Sequence, residues 1–348
     1  MTNYFCVLPW YSQELGRQNT PCCLLPQKYN IDQIKKDLLD NIPTVACKKC
    51  WDVESTGNKS RRQFENEFLD YKLDRDLDKI QQDCADSKHQ TILYQITTSN
   101  LCNQACVSCD SKFSTKWAQV EKRMNLLPNP QYQLDLDTAN INYGSAKRIS
   151  LLGGEPLFDP KTFEILQKLI DHGNTSCFVS LVTNGSINLT VEQIALLTQF
   201  TDLNICISID GVGPVFEYMR WPAKWNSLLE NIDQYKSITK NISVSYTVSA
   251  LNAMYYDQTV GWFKQNNLAY NHNVVSRPIW LALSQMPIKL KQHLKQQQNN
   301  FIKTYCNQTG SEVALETLTQ NIVKQDRAKK INIRDYMPEL ADVIFDTV

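Results

Sequence analysis

The sequence predicts an α/β fold: a partial (β/α)6 barrel between a cysteine-rich N-terminal unit and a helical C-terminal extension. Three observations predict it. Strand-like and helix-like segments alternate from residue 91 to 276, several of the strands carry one small, polar face, and eight of the twelve cysteines fall into two groups. The alternation argues for a parallel sheet with right-handed crossovers, whose chemistry lies beyond the C-terminal ends of the strands.

The strand candidates are residues 91–99, 148–154, 177–185, 203–211, 242–250 and 270–276. Helix-like stretches lie between them, including one that Gly173 stops and one that Thr190 caps. In 242–250 Ser243, Ser245, Thr247 and Ser249 share a face opposite Val244, Tyr246 and Val248. In 203–211 Cys206, Ser208 and Asp210 do the same, and Gln95, Thr97 and Ser99 line up in the first strand. A closed eight-stranded barrel fills its interior with branched apolar side chains, so a polar inner face suits an incomplete barrel around a polar cofactor. A sheet with one face open to water would give the same pattern.

Residues 1–90 lie outside this alternation. They hold Cys6, Cys22, Cys23, Cys47 and Cys50, a helix-like stretch at 32–42 and a charged one at 58–83, and read as a metal-stapled unit with a linker helix. Beyond 276 the stretches 286–306, 311–330 and 333–348 are helix-like. Their Lys and Gln residues read as a solvated face, with RNA contact as the lesser alternative.

Lys plus Arg (36) balance Asp plus Glu (36), so no global field advertises nucleic acid or membrane. No run approaches the ~18 apolar residues of a membrane span, and the opening MTNYFCVLPW lacks the regions of a signal peptide. A soluble, cytoplasmic protein is the expectation. In a reducing compartment clustered cysteines are metal ligands or catalysts rather than disulfides. The scattered Cys84, Cys177, Cys206 and Cys306 read as small buried hydrophobes, with Cys206 as a candidate hydrogen-atom donor.

The loop after the first strand, TTSNLCNQACVSCDSKF, carries Cys102, Cys106 and Cys109. Structural zinc takes four protein ligands, and a zinc reading would have to borrow Asp110 or a distant His. A four-iron cluster on three thiolates instead keeps one iron open. The three-then-two spacing resembles the signature of the radical S-adenosylmethionine superfamily, and the resemblance runs through residues 91–275. Gly153, Gly154 and Glu155 in GGEP follow the second strand, Thr183 and Asn184 in TNG the third, and Ser208 and Asp210 in SIDG the fourth. Arg220 in YMR and Asn252 in SALN come next.

By resemblance GGEP contacts the cofactor's amino group, TNG its ribose, Arg220 its carboxylate, and Asn252 its adenine or ribose. Ser108 stands where the family often has an aromatic residue against the adenine. The implied cofactors are a [4Fe-4S] cluster and S-adenosylmethionine, and the implied activity is reductive cleavage to a 5′-deoxyadenosyl radical that takes a hydrogen atom from substrate. The implied partner is a one-electron reductant such as flavodoxin or ferredoxin.

The N-terminal group resembles the auxiliary-cluster extensions called SPASM and twitch, placed before the barrel instead of after it: Cys6, Gly16, Cys22–Cys23, then the pair Cys47 and Cys50. Four of these thiolates would hold a second [4Fe-4S] cluster, one of Cys22 and Cys23 being spare; a zinc ribbon is the alternative. Such extensions imply a peptide or protein substrate. A nucleotide, RNA or sugar substrate is second, and a catalytically silent, metal-bound interaction protein third.

Overall fold

Alternation of apolar with polar residues builds most strands of one open sheet. In this computed structural model, residues 3–16, 19–26, 28–55, 57–137, 140–296, 299–307 and 313–346 are described. The strands are β1 (Ser12–Leu15), β2 (Leu93–Thr97), β3 (Arg148–Leu152), β4 (Phe178–Thr183), β5 (Leu203–Ser208), β6 (Asn241–Val248) and β7 (Ala269–Val274). All pair in parallel in sequential order. The six strands read from the sequence all form. A seventh, β1, adds the N-terminal unit to the sheet: Ser12 to Leu15 pair with Leu93 to Ile96, so those first residues do not stand wholly apart from the barrel.

Register turns the polar face into a continuous lining. Glu14, Gln95, Ser150, Ser180 and Asn204 align across β1 to β5, Cys206 aligns with Ser243, and Ser245 aligns with Asn271. The opposite face carries buried Tyr94, Ile149, Val179, Ile205 and Val244. It packs under α3 (Pro160–Asp171), α4 (Val191–Leu197), α5 (Trp225–Ile238) and α6 (Tyr256–Gln265). On α3, Ile165, Leu166 and Leu169 are fully buried, each contributing roughly 1.5–3 kcal/mol. As the sequence predicts, Gly173 follows α3 in a left-handed conformation, and Thr190 caps α4 with Gln193 closing the capping box.

Two flanking parts position the site. In the N-terminal unit α1 (Arg61–Leu73) is held by Arg62, which bonds the Phe5 carbonyl at 2.9 Å and Glu54 at 2.7 Å, and by Asn66, which brackets Phe5 and Val7. In the C-terminal part α7 (Leu315–Lys329) buries Leu318 and Ile322 in the same core as the sheet. The helix-like stretch 286–306 forms two helices, Ile288–Leu294 and Asn300–Cys306; residues 297–298 lie outside the described ones. No described helix is long and apolar enough to cross a membrane.

Candidate active site and a second cysteine cluster

The loop after β2 is pinned at its root. Thr98 and Ser99 each donate to Asp159 at 2.6 Å. Asn100, buried, donates to Ser111 and Pro130 carbonyls and accepts from the Tyr132 amide. Farther along, the Ala105 amide donates to the Trp221 carbonyl at 2.7 Å and the Val107 amide to that of Met219 at 2.9 Å. This pairing carries Arg220 to the loop, its Nη1 3.8 Å from the Cys106 sulfur. α2 (Thr115–Arg123) closes the loop from outside, with Trp117 Nε1 donating to the Cys106 carbonyl at 2.7 Å.

Backbone contact explains GGEP. The Gly154 amide donates to Ser99 and the Glu155 amide to Leu101, and a Cβ on Gly154 would sit 2.3 Å from the Leu101 oxygen. Only glycine permits that approach.

One cavity of about 280 Å³ gathers the predicted pieces beyond the strand ends. Cys102, Cys106, Cys109, Ser108, Gly153, Gly154, Thr183, Asn184, Ser208 and Arg220 line it, joined by Gln104, Phe113, Leu152 and Val182. Burial pushes Cys102 up to about 12, helped by Cys106. Burial also raises Cys106, against the lowering effect of Arg220, and raises Cys109 well above the ordinary thiol value. These thiols are protonated without a cation and become strong ligands when a metal supplies one.

Glu155, Asp210 and Asn252 stand behind the cavity and not among its lining residues. Glu155 is buried, accepts from Thr183 Oγ1 at 2.6 Å, from the Asn184 amide at 2.5 Å and from the Leu157 amide. Burial lifts its carboxyl to about 7, opposed by those hydrogen bonds. Asp210 accepts from the Thr247 amide and pairs with Arg220 at 2.8 Å. Asn252 donates to the Asp210 and Thr247 carbonyls and accepts from the Ser249 amide. They orient the lining residues.

Reading motifs after strands found Arg220 but missed Gln104, Phe113 and Lys329. Gln104 and Arg220 each keep a buried nitrogen without a partner, Nε2 and Nε, so both side chains that line the cavity have a donor to spare. Phe113 supplies an aromatic ring although Ser108 does not. Lys329, at the end of α7 and 3% exposed, donates to Gln325 at 2.9 Å and lies 4.7 Å over the Trp117 ring. Burial lowers it to about 8, against the pull of Cys106, Asp326 and Cys109. It comes from far down the chain, and only its place on the buried side of a predicted helix could have signalled it.

Cys6, Cys22, Cys47 and Cys50 ring a second, narrow cavity with Leu8, Leu24, Leu25 and Arg62. Burial raises Cys6 well above the ordinary thiol, and the other three add to it. Burial pushes Cys22 up to about 11 and Cys47 to about 12. Cys23 turns away and accepts from Arg61 Nη1 at 2.5 Å. Arg61 also donates to Gln95 on the concave face, so the unit abuts the barrel lining. Gly16, at φ +94°, lies so close to the Thr97 carbonyl that a Cβ there would meet it at 2.0 Å. Among the described residues no three His, Cys, Asp or Glu side chains converge on one point as ligands of a single ion do. The scattered Cys84, Cys177 and Cys306 are buried, as expected; Cys206 is half-buried, facing Ser243 across the concave side.

Both cysteine sets fit iron–sulfur clusters by their donors: three thiols with one side open to a polar cavity, and four thiols in apolar surroundings. The large cavity at α2 and α7, about 680 Å³, lies outside both sets.

The parallel, open barrel thus sets the three-thiol loop at the C-terminal rim of its strands. Residues 96–253 match the model of the Radical SAM superfamily, a span that includes the cysteine loop, GGEP, TNG, SIDG and YMR. Those residues carry a radical SAM domain. No curated protein matches it. Among solved structures it is similar to anSMEcpe with bound AdoMet and a Cp18Cys peptide: 15% identity over 58% of this chain and 56% of that one, TM-score 0.39. It is also similar to Streptococcus suis SuiB bound to S-adenosylmethionine, at 10% identity over 80% and 62%, TM-score 0.39. Similarity to the methyltransferase TsrM of Kitasatospora setae is 11% over 52% and 34%, TM-score 0.37. The chain thus spans less than two thirds of each of these three.

Proposed function

We propose that this protein cleaves S-adenosylmethionine reductively at a [4Fe-4S] cluster held by Cys102, Cys106 and Cys109, and uses the product radical on a peptide or protein side chain. The observation that carries this reading is the shared cavity: three thiols (Cys102 buried, Cys106 and Cys109 half-buried), the GGEP and TNG turns, Ser208 and Arg220 face one space beyond the strand ends. When bound, cluster and cofactor supply one-electron cleavage of a carbon–sulfur bond and a 5′-deoxyadenosyl radical able to take hydrogen from an unactivated carbon. The chain's own work is positioning. Gly153 and Gly154 let backbone come close to the cofactor, Thr183, Asn184 and Ser208 supply polar contacts, and Arg220 offers a planar cation to a carboxylate. Glu155, Asp210 and Asn252 hold those groups in place, and the buried walls exclude water.

Cys6, Cys22, Cys47 and Cys50 are proposed to hold an auxiliary cluster within an N-terminal unit of residues 1–90, ahead of a barrel over 91–276 and an extension over 277–348. The unit abuts the concave face through Arg61 and Gln95, which supports a role next to substrate. That face is a trough of hydroxyl and amide side chains, which matches the polar backbone of an extended peptide. A nucleotide, RNA or sugar is the second substrate reading, and capture of substrate from cells under anaerobic conditions separates the two. The activity itself is tested with dithionite. Reconstituted wild type should release 5′-deoxyadenosine and Cys106→Ala should release none; equal product from both would overturn the assignment.

A further inference from the structure

The groove between α2 and α7 encloses about 680 Å³ and is open to solvent. Its rim carries Arg123, Lys324, Arg327 and Lys330, all exposed. Among the described residues none of the four makes an ion pair. Its floor is apolar: Met124, Ala328 and Val323, the last 46% exposed. In a chain of zero formal net charge, four unpaired cations around an apolar centre form a local field of one sign. An apolar centre inside a charged rim is the anatomy of a protein-docking surface, and the charge sign favours an acidic partner.

What lies beneath the floor gives the partner its chemistry. Met124 and Ala328 belong to one small apolar cluster with Trp117, Ala105 and Cys109. Trp117 also bonds the Cys106 carbonyl, and Arg123 ties the two helices by donating to the Ala328 carbonyl at 3.1 Å. The groove therefore backs onto the three-cysteine loop, and it shares no lining residue with the cavity where cofactor and substrate are proposed to bind. An electron donor on the cavity side would compete with substrate; one in the groove would not.

We propose that this groove docks an acidic one-electron carrier protein that reduces the loop's cluster. The inference rests on the reading that Cys102, Cys106 and Cys109 hold a reducible cluster. In each turnover the carrier loses one electron and one carbon–sulfur bond of the sulfonium breaks. Methionine and, after the radical takes hydrogen from substrate, 5′-deoxyadenosine are the products, leaving the substrate one hydrogen atom short.

The test uses an acidic flavodoxin as the probe. Binding to the full-length protein is measured by calorimetry at low and high salt, and 5′-deoxyadenosine formation is driven by reduced flavodoxin or by dithionite. The groove variant is Lys324→Glu/Arg327→Glu/Lys330→Glu. A control of the same charge change, Lys236→Glu/Lys240→Glu/Lys264→Glu, uses exposed lysines elsewhere. The groove variant should bind flavodoxin at least about tenfold more weakly at low salt and lose flavodoxin-driven product in proportion, since rim charges act on encounter. Its dithionite-driven product and circular dichroism should match wild type, and the control should behave as wild type throughout. Equal flavodoxin binding by both variants would overturn the inference. So would loss of RNA-oligonucleotide binding in the groove variant with flavodoxin binding intact. A wild type without dithionite-driven product sinks the cluster reading itself, which keeps the two failures apart.

Discussion

Arg220 pairs with Asp210 at 2.8 Å through one terminal nitrogen while the other lies 3.8 Å from the Cys106 sulfur. One side chain thus joins the end of β5 to the cysteine loop. Both partners are buried, with Asp210 1% exposed, and removing one member of a buried pair leaves an uncompensated charge. Arg220→Met should destabilise the protein by about 3–5 kcal/mol and abolish S-adenosylmethionine binding. Urea denaturation and calorimetric titration of the cofactor read the two effects.

Glu155 gives the pH dependence a sign. Its carboxyl is raised from 4.5 to about 7 by burial, against hydrogen bonds from Thr183, Asn184 and Leu157. Between those values the folded chain holds a proton that the unfolded chain has released, so stability falls as pH rises through the window. This contribution is fully present below 4.5 and gone above about 7. Glu155→Gln should flatten the stability profile across that window, measured by urea denaturation at stepped pH. An unchanged slope in the variant would refute it.

Lys329 places an ammonium beside Cys106 and Cys109, and a positive charge favours the more negative, reduced form of a cluster. Lys329→Met should lower the midpoint potential by on the order of 60 mV, the one-electron equivalent of about 1.4 kcal/mol, while Lys329→Arg should restore most of it. Potentiometry followed by electron paramagnetic resonance reads the shift.

The N-terminal thiols give a paired prediction. Cys22 shares its cavity with Cys6, Cys47 and Cys50, whereas Cys23 faces Arg61. Cys22→Ala should lose the metal of that site and Cys23→Ala should keep it, by elemental analysis of anaerobically purified protein. The same analysis tells iron from zinc.

Much of this was legible in the sequence because parallel strands announce themselves twice. Their apolar and polar faces alternate, and their C-terminal ends carry the glycine turns; the strands β2 to β7 and the cavity-lining Gly153, Thr183, Asn184, Ser208 and Arg220 follow from that. β1 was hidden because four residues are too few for a periodic signal, and Ser12–Leu15 become a strand only by pairing with Leu93–Ile96. The supporting duties of Glu155, Asp210 and Asn252 were hidden too, since spacing shows which residues gather at a rim and not which of them spend their oxygens on one another. Lys329 and the split between Cys22 and Cys23 depend on packing between distant segments, which no local pattern encodes.

The central claim is a reducible cluster on Cys102, Cys106 and Cys109 beside a second metal site. Iron and sulfide per chain, counted after anaerobic reconstitution together with 5′-deoxyadenosine after dithionite, test it most directly. Wild type should hold about eight irons and form product, and Cys102→Ala/Cys106→Ala/Cys109→Ala should keep about four irons and form none. Product from the triple variant, or a fully loaded wild type that forms none, would contradict the account.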